Sequence, residues 1–247
     1  MAKLSQILSP EYQHAPLVVY SLDGVELLIS LPQHQSTTDS VLAPSDIDIF
    51  NQSVYQGGPP PNERYILLIK NAWSYRFENS SIDAGTLFLT VAIVHSLDER
   101  EKNYNFLDGE SCAEWIIDRM VKSYSPLDAE SIEELKLNDL PFSETHLWIY
   151  PKKASDLEKI MKNGMHWYRG KTGHPSMGEP QPFFRIPINS RFALEMNIHF
   201  GGFNPEYFEF PETIETTKEF LLQEFLEHVR ITYPPEILAQ VTNTNTL

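Results

Sequence analysis

Hydrophobic and polar positions along this chain fall into a pattern that occurs twice. Leu87, Leu89, Val91 and Ile93 alternate along residues 86–95, and Phe192, Leu194, Met196 and Ile198 alternate along residues 191–200. Such period-two alternation predicts strands with one buried face. Each is followed by an apolar run at helical spacing, Ser111-Cys-Ala-Glu-Trp-Ile-Ile-Asp-Arg-Met-Val121 and Thr216-Thr-Lys-Glu-Phe-Leu-Leu-Gln-Glu-Phe-Leu226. Both runs open with a hydroxyl residue and a Glu three positions later, Ser111/Glu114 and Thr216/Glu219, the capping box that satisfies free amides at a helix start. Trp115, Ile116, Ile117, Met120 and Val121 then match Phe220, Leu221, Leu222, Phe225 and Leu226. Thr216 follows Ser111 by 105 residues, and the same offset carries the first strand onto the second. One offset across two elements predicts an internal duplication. Weaker echoes link Ser45-Asp46-Ile47 with Ser155-Asp156-Leu157, and Tyr55-Gln56-Gly57 with Tyr168-Arg169-Gly170.

Other elements follow from the same signals. Asp23-Gly24 supplies the positive backbone angles of a tight turn, so residues 17–31 read as a β-hairpin. Residues 45–55 read as a short helix, 64–70 and 73–77 as strands, and Gly57-Gly-Pro-Pro-Pro61 as a stiff connector. Ser125-Pro126 should end the first long helix, because proline cannot continue the ladder. A domain boundary is placed soon after, giving units 1–138 and 139–247. In the second unit, residues 146–150 read as a strand and 155–162 as a helix with Leu157, Ile160 and Met161 inward. Residues 163–182 read as a long loop, and 183–186 as a strand pairing with 191–200. Pro234-Pro235 should end the last helix. The expected fold class is α+β, with two similar units, each a mostly antiparallel β-sheet with helices packed on one face.

Composition narrows the functional classes. Hydrophobic residues make up 41% of the 247 residues and aromatics 12%, enough for a packed core rather than a disordered chain. No apolar run approaches the ~20 residues that span a bilayer, and residues 1–10 lack the apolar centre of a signal peptide. A cytoplasmic location is therefore expected. Cys112, the single cysteine, excludes an internal disulfide. Nineteen basic against 34 acidic residues leave a net charge of −15. That surface repels nucleic-acid phosphates and anionic lipid, so neither is an expected partner. It favours a basic protein partner, and a homodimer is compatible with it.

No reactive motif emerges. Gly170-Lys171-Thr172 ends like a phosphate-binding loop, but position 165 is Met and the spacing fails. His-Glu-x-x-His, Gly-x-Ser-x-Gly and Gly-x-Gly-x-x-Gly are all missing from the sequence. His166 and His174 share one segment without further ligands at metal spacing. Cys112 has no neighbouring base and reads as a packed side chain. No catalytic residue, metal or cofactor is therefore expected.

The most unusual local composition lies at residues 162–174, where Lys162, His166, Arg169, Lys171 and His174 form a basic island interleaved with Met165, Trp167 and Tyr168. Aromatic and Arg side chains are what interface hot spots use. His166, Trp167, Tyr168 and Arg169 are the expected partner contacts, together with Asp98, Glu99 and Glu101 of an acidic loop.

The run from strand 191–200 through Thr216-Thr-Lys-Glu-Phe-Leu-Leu-Gln-Glu-Phe-Leu226 resembles the Mog1/PsbP/DcrB-like domains, in which a strand leads to a helix packed on an antiparallel sheet. The likeness covers about 40 residues in each half and rests on pattern rather than an invariant motif. The superfamily includes adaptor chaperones of type VI secretion effectors. The size, acidity and missing active-site motif also resemble cytoplasmic immunity proteins that neutralise bacterial toxins. The resemblance implies a non-enzymatic protein-binding role. A hydrolase assembled from scattered His and carboxylate residues is the alternative.

Overall fold

The computed structural model describes residues 7–57, 64–78, 83–95, 104–204, 206, 208 and 212–244. Its strands and helices are β1 (Ile7–Leu8), β2 (Leu17–Leu22), β3 (Val25–Ser30), β4 (Val41–Leu42), β5 (Gln56–Gly57), β6 (Arg64–Phe77), β7 (Asp83–His95), α1 (Gly109–Leu137), β8 (Glu158–Lys162), β9 (Met165–Thr172), β10 (Gln181–Pro187), β11 (Phe192–Gly201), α2 (Glu212–Glu227), β12 (Val229–Thr232) and α3 (Pro235–Thr244). Among the described residues, nine strands form one antiparallel sheet in the order β1-β6-β7-β11-β10-β9-β8, with β4 and β5 also on β6. A second sheet runs β12-β3-β2. The protein is thus α+β. No helix among the described residues is long and apolar enough to cross a membrane.

The two alternating runs are strands, and their eight matched apolar residues are all buried. The β2–β3 hairpin forms with Asp23 and Gly24 at φ 53° and 81°. The β10–β11 pair forms in antiparallel register, with Phe184 opposite Met196.

Elsewhere the expectations fail for identifiable reasons. The predicted capping boxes are not the caps. Asp108 caps α1 by accepting the N–H groups of Glu110 and Ser111, while the Ser111 hydroxyl accepts from Asn105 N–H. Thr216 lies inside α2, where Thr217 donates back to the Thr213 carbonyl at 2.6 Å. The helix faces also differ, since Trp115 is 2% exposed and its match Phe220 is 54% exposed. Pro126 does not end α1, which continues eleven residues further, to Leu137. Residues 64–77 make one strand instead of two, and residues 45–55 contain only the 3-10 turn Gln52–Val54. Residues 155–162 are not a helix. A 3-10 turn, Ala154–Asp156, leads into β8, and the left-handed pair Asn163-Gly164 turns the chain into β9. The predicted strand at 146–150 reduces to the turn Glu144–His146 and one bridge between Ile149 and Gly173. The last helix is broken earlier than expected, because β12 separates α2 from α3.

The chain gathers into two compact units, one of Met1–Phe50, Leu67–Val91 and Ile198–Tyr233, the other of Asn51–Ile66, Ala92–Asn197 and Pro234–Leu247. The sequence boundary at 138/139 falls inside the second. The core of the first joins Tyr12, Trp73, Tyr75 and Phe225. Tyr12 and Tyr75 share a hydroxyl hydrogen bond of 2.8 Å, and Trp73 Nε1–H donates to Tyr12 at 3.1 Å. Phe225 packs on both Tyr12 and Trp73. In the second unit, the first half of α1 lays Cys112, Trp115, Ile116 and Met120 against Val94, Tyr168, Phe183 and Ala193. Beside them Glu195 accepts from Arg185 at 2.8 Å and from the Asn197 amide at 2.6 Å, with Arg119 at 3.9 Å.

Candidate protein-binding surface

The expected contact residues do not form a surface loop. Met165–Thr172 is the strand β9, and its consecutive rings Trp167 and Tyr168, which point to opposite faces, are both buried. Trp167 is 0% exposed, and Tyr168 is buried with its hydroxyl donating to the Gly109 carbonyl at 2.9 Å. These two rings are core residues, and a partner cannot reach them without opening the unit. Arg169 lies 3.4 Å from Glu158 on the neighbouring strand. His166 is half-buried; burial and then the Lys159 charge lower its pKa, so the ring favours its neutral form. Asp98, Glu99 and Glu101 lie outside the described residues, as do most residues of the proline connector. His174 caps the 3-10 turn Pro175–Met177: its Nδ1 accepts from Ser176 N–H, which leaves Nε2–H directed at the His146 carbonyl, 3.3 Å away. Cys112 is buried, and burial pushes its thiol up to about 12, so it carries no thiolate at neutral pH. Among the described residues no three His, Cys, Asp or Glu side chains gather as a metal would require.

A different set of aromatics does come together in the second unit. The second half of α1, beyond Pro126, carries Asp128, whose carboxylate accepts Trp148 N–H at 2.8 Å and the Tyr150 hydroxyl at 3.2 Å. Those bonds fasten residues 148–150 to the helix. Tyr124 stacks on Tyr150 and tilts against Trp148, each with ring centroids 5.1 Å apart. His174 meets the Trp148 ring edge-on at 5.3 Å. Tyr124, Trp148 and Tyr150 are all half-buried, and the Lys152 ammonium lies 4.8 Å over the Tyr150 ring. Burial and then Asp128 raise the Tyr150 pKa, keeping its hydroxyl protonated as the donor this bond needs.

The elements that carry this cluster also bear exposed apolar side chains. Leu137, Leu140 and Phe142 lie on the end of α1 and the strap after it, Phe142 at 57% exposure; Ile149 neighbours Trp148, and Met177, at 76%, tips the turn that His174 caps. The same stretch of chain carries the acidic residues Glu130, Glu133, Glu134, Asp139 and Glu144, all exposed. Aromatic and methionine side chains inside a charged rim are the composition of a protein interface. A helix that stops at Ser125 leaves Asp128 apart from Trp148 and Tyr150, so the sequence pattern does not bring these residues together. No protein-family model matches the chain, and neither a curated protein nor a solved structure is significantly similar to it, so the likeness to Mog1/PsbP/DcrB-like domains rests on the residue pattern alone.

Proposed function

We propose that this is a non-enzymatic protein-binding protein, and that it takes a basic partner on the Trp148 platform. The carrying observation is the half-exposed Tyr124–Trp148–Tyr150 cluster, fixed by Asp128 on a half-helix that also carries the exposed Glu130, Glu133 and Glu134. Half-exposed aromatics can give up their remaining water to a partner at little entropic cost, since they are already held. The net charge of −15 speeds the encounter with a cationic surface. The sharpest version is an immunity protein covering a bacterial toxin, or an adaptor holding a secretion effector; the resemblance of the sequence to both motivates it. A doubled scaffold built from units of similar design belongs to the same reading, supported by the matched buried positions of β7 and β11.

The test is a calorimetric titration against the basic proteins encoded beside this one. One should bind, and Trp148→Ala should weaken it by about 30-fold, the loss of one interface hot spot. The buried Trp167 cannot serve as a control, so Phe220→Ala, on exposed α2 surface, takes that place and should leave affinity unchanged. Equal affinity of the wild type and the Trp148 variant would remove the platform from the interface. Failure of every basic neighbour to bind would remove the basic-partner reading itself.

A further inference from the structure

We infer that β2 is the seam of a homodimer, pairing antiparallel with β2 of a second copy about a two-fold axis beside Val18. The first observation is an open edge. β2 closes one side of the β12-β3-β2 sheet. Its register on β3 is unbroken from Leu17 opposite Ser30 to Leu22 opposite Val25. Ser21 N–H points away from β3, since it donates to the Ser45 carbonyl at 2.9 Å. Alternation then directs the N–H and C=O of Leu17 and Val19 outward as well, and among the described residues these four groups have no partner.

The second observation is that this edge is unguarded. Exposed edges are usually protected by charged residues, and β8, the edge of the large sheet, follows that rule with Glu158, Lys159 and Lys162 in five residues. Residues 15–22, Ala-Pro-Leu-Val-Val-Tyr-Ser-Leu, carry no charge in a chain of net −15. Leu17 and Val19 are nevertheless 57% and 39% exposed. Their neutrality identifies the occupant. A basic partner would be drawn to the acidic faces, whereas a second copy, itself at −15, can approach only where neither chain presents charge.

The third observation is closure. The Ser45 contact at Ser21 and the proline at position 16 limit the open window to Leu17–Val19. Two such windows satisfy each other: Leu17 exchanges both bonds with Val19 of the second copy, and Val19 with its Leu17, so all eight groups are used. On the outer face Val19 stands beside Leu28 of β3. Pairing therefore joins Leu28, Val19 and Leu17 of both copies into one apolar block, ended on each side by Arg230 opposite Leu28. A foreign strand would supply the bonds but not the second half of that block.

The experiment is sedimentation equilibrium of the full chain at about 50 μM, a concentration typical of weak dimers. The wild type should sediment at twice its 28.4 kDa mass, and Val19→Lys should sediment at the single-chain mass with an unchanged circular-dichroism spectrum. Val18→Cys supplies a readout that does not depend on the lysine variant folding. Val18 faces its own copy as a non-hydrogen-bonded pair, about 4.5 Å between Cα atoms, within disulfide reach. Mild oxidation should cross-link it quickly, and Val19→Cys slowly, while the buried Cys112 stays unreacted. A wild type at single-chain mass, or a dimer indifferent to Val19→Lys with no preference for Cys at 18, would overturn the seam. Neither result bears on partner binding at Trp148, which lies in the other unit.

Discussion

Asp139 holds a left-handed backbone, φ 50°, just beyond the Asn138 cap of α1. Its N–H donates to the Lys136 carbonyl and the N–H of Leu140 to the Leu135 carbonyl, the two bonds of a Schellman ending. Left-handed geometry costs an L-residue about 1–2 kcal/mol, and Asp somewhat less. Asp139→Gly should therefore stabilise the protein by about 1 kcal/mol, measured by urea denaturation. Glu195 sets a pH dependence. Burial disfavours its charge, but Arg185, Arg119 and the Asn197 amide outweigh that and hold the carboxyl below its ordinary 4.5. A depressed carboxyl contributes fully above the unfolded value and loses that contribution as pH falls through the folded one. Stability should thus decline below about pH 4.5, and Glu195→Gln should remove that part of the decline while costing about 3 kcal/mol at neutral pH, as stranding a buried cation does. Single-residue chemistry was only partly legible. Asp23-Gly24 announced its turn, because a two-residue turn depends only on its own backbone angles. The cap at Asp108 is not legible in sequence because Ser111 and Glu114 meet the same spacing rule, and only the three-dimensional position of Asn105 shows that the Ser111 hydroxyl is already engaged.

At the scale of elements, α1 decides where the platform lies. Proline inside a helix costs about 3 kcal/mol in lost bonding and steric conflict, so something must hold the turns beyond Pro126. Asp128 and Leu135 are the buried side chains there, and Asp128 bonds to the backbone and side chain of a segment 20 residues further on. Asp128→Ala should cost about 2–3 kcal/mol, the scale of hydrogen bonds to a charged group, and should red-shift tryptophan emission. Trp148 is half-exposed while Trp73, Trp115 and Trp167 are buried, so a change confined to this region reports on Trp148. Unchanged emission would mean that Asp128 does not hold the aromatic segment. Such long-range support is what a local reading of Ser125-Pro126 lacks. The β8–β9 hairpin failed differently. Leu157, Ile160 and Met161 sit at helical spacing, yet Asn163-Gly164 is a strong local signal for a two-residue hairpin turn. The two signals compete locally, and only the pairing of β9 with β8 and β10 shows that the basic island is a strand with buried rings on both faces.

For the molecule as a whole, acidity is the property that sequence conveys most directly, since charge sums without regard to fold. It implies a salt-dependent encounter: partner association should slow by at least tenfold between 20 and 200 mM salt, as charge-steered association does, read by stopped-flow fluorescence. Glu133→Lys with Glu134→Lys should lower the rate at low salt and flatten that dependence. The sheet order, with β7 beside β11, follows from pairings between distant segments that no local pattern encodes. The meeting of Asp128 with Trp148 and Tyr150 is long-range in the same way. The most direct measurement is amide hydrogen exchange on the complex with a bound basic partner. Added protection is predicted at residues 127–149 and 173–178. Protection gained on β8 and β9 instead, or on none of these segments, would contradict the assignment of the Trp148 platform as the binding surface.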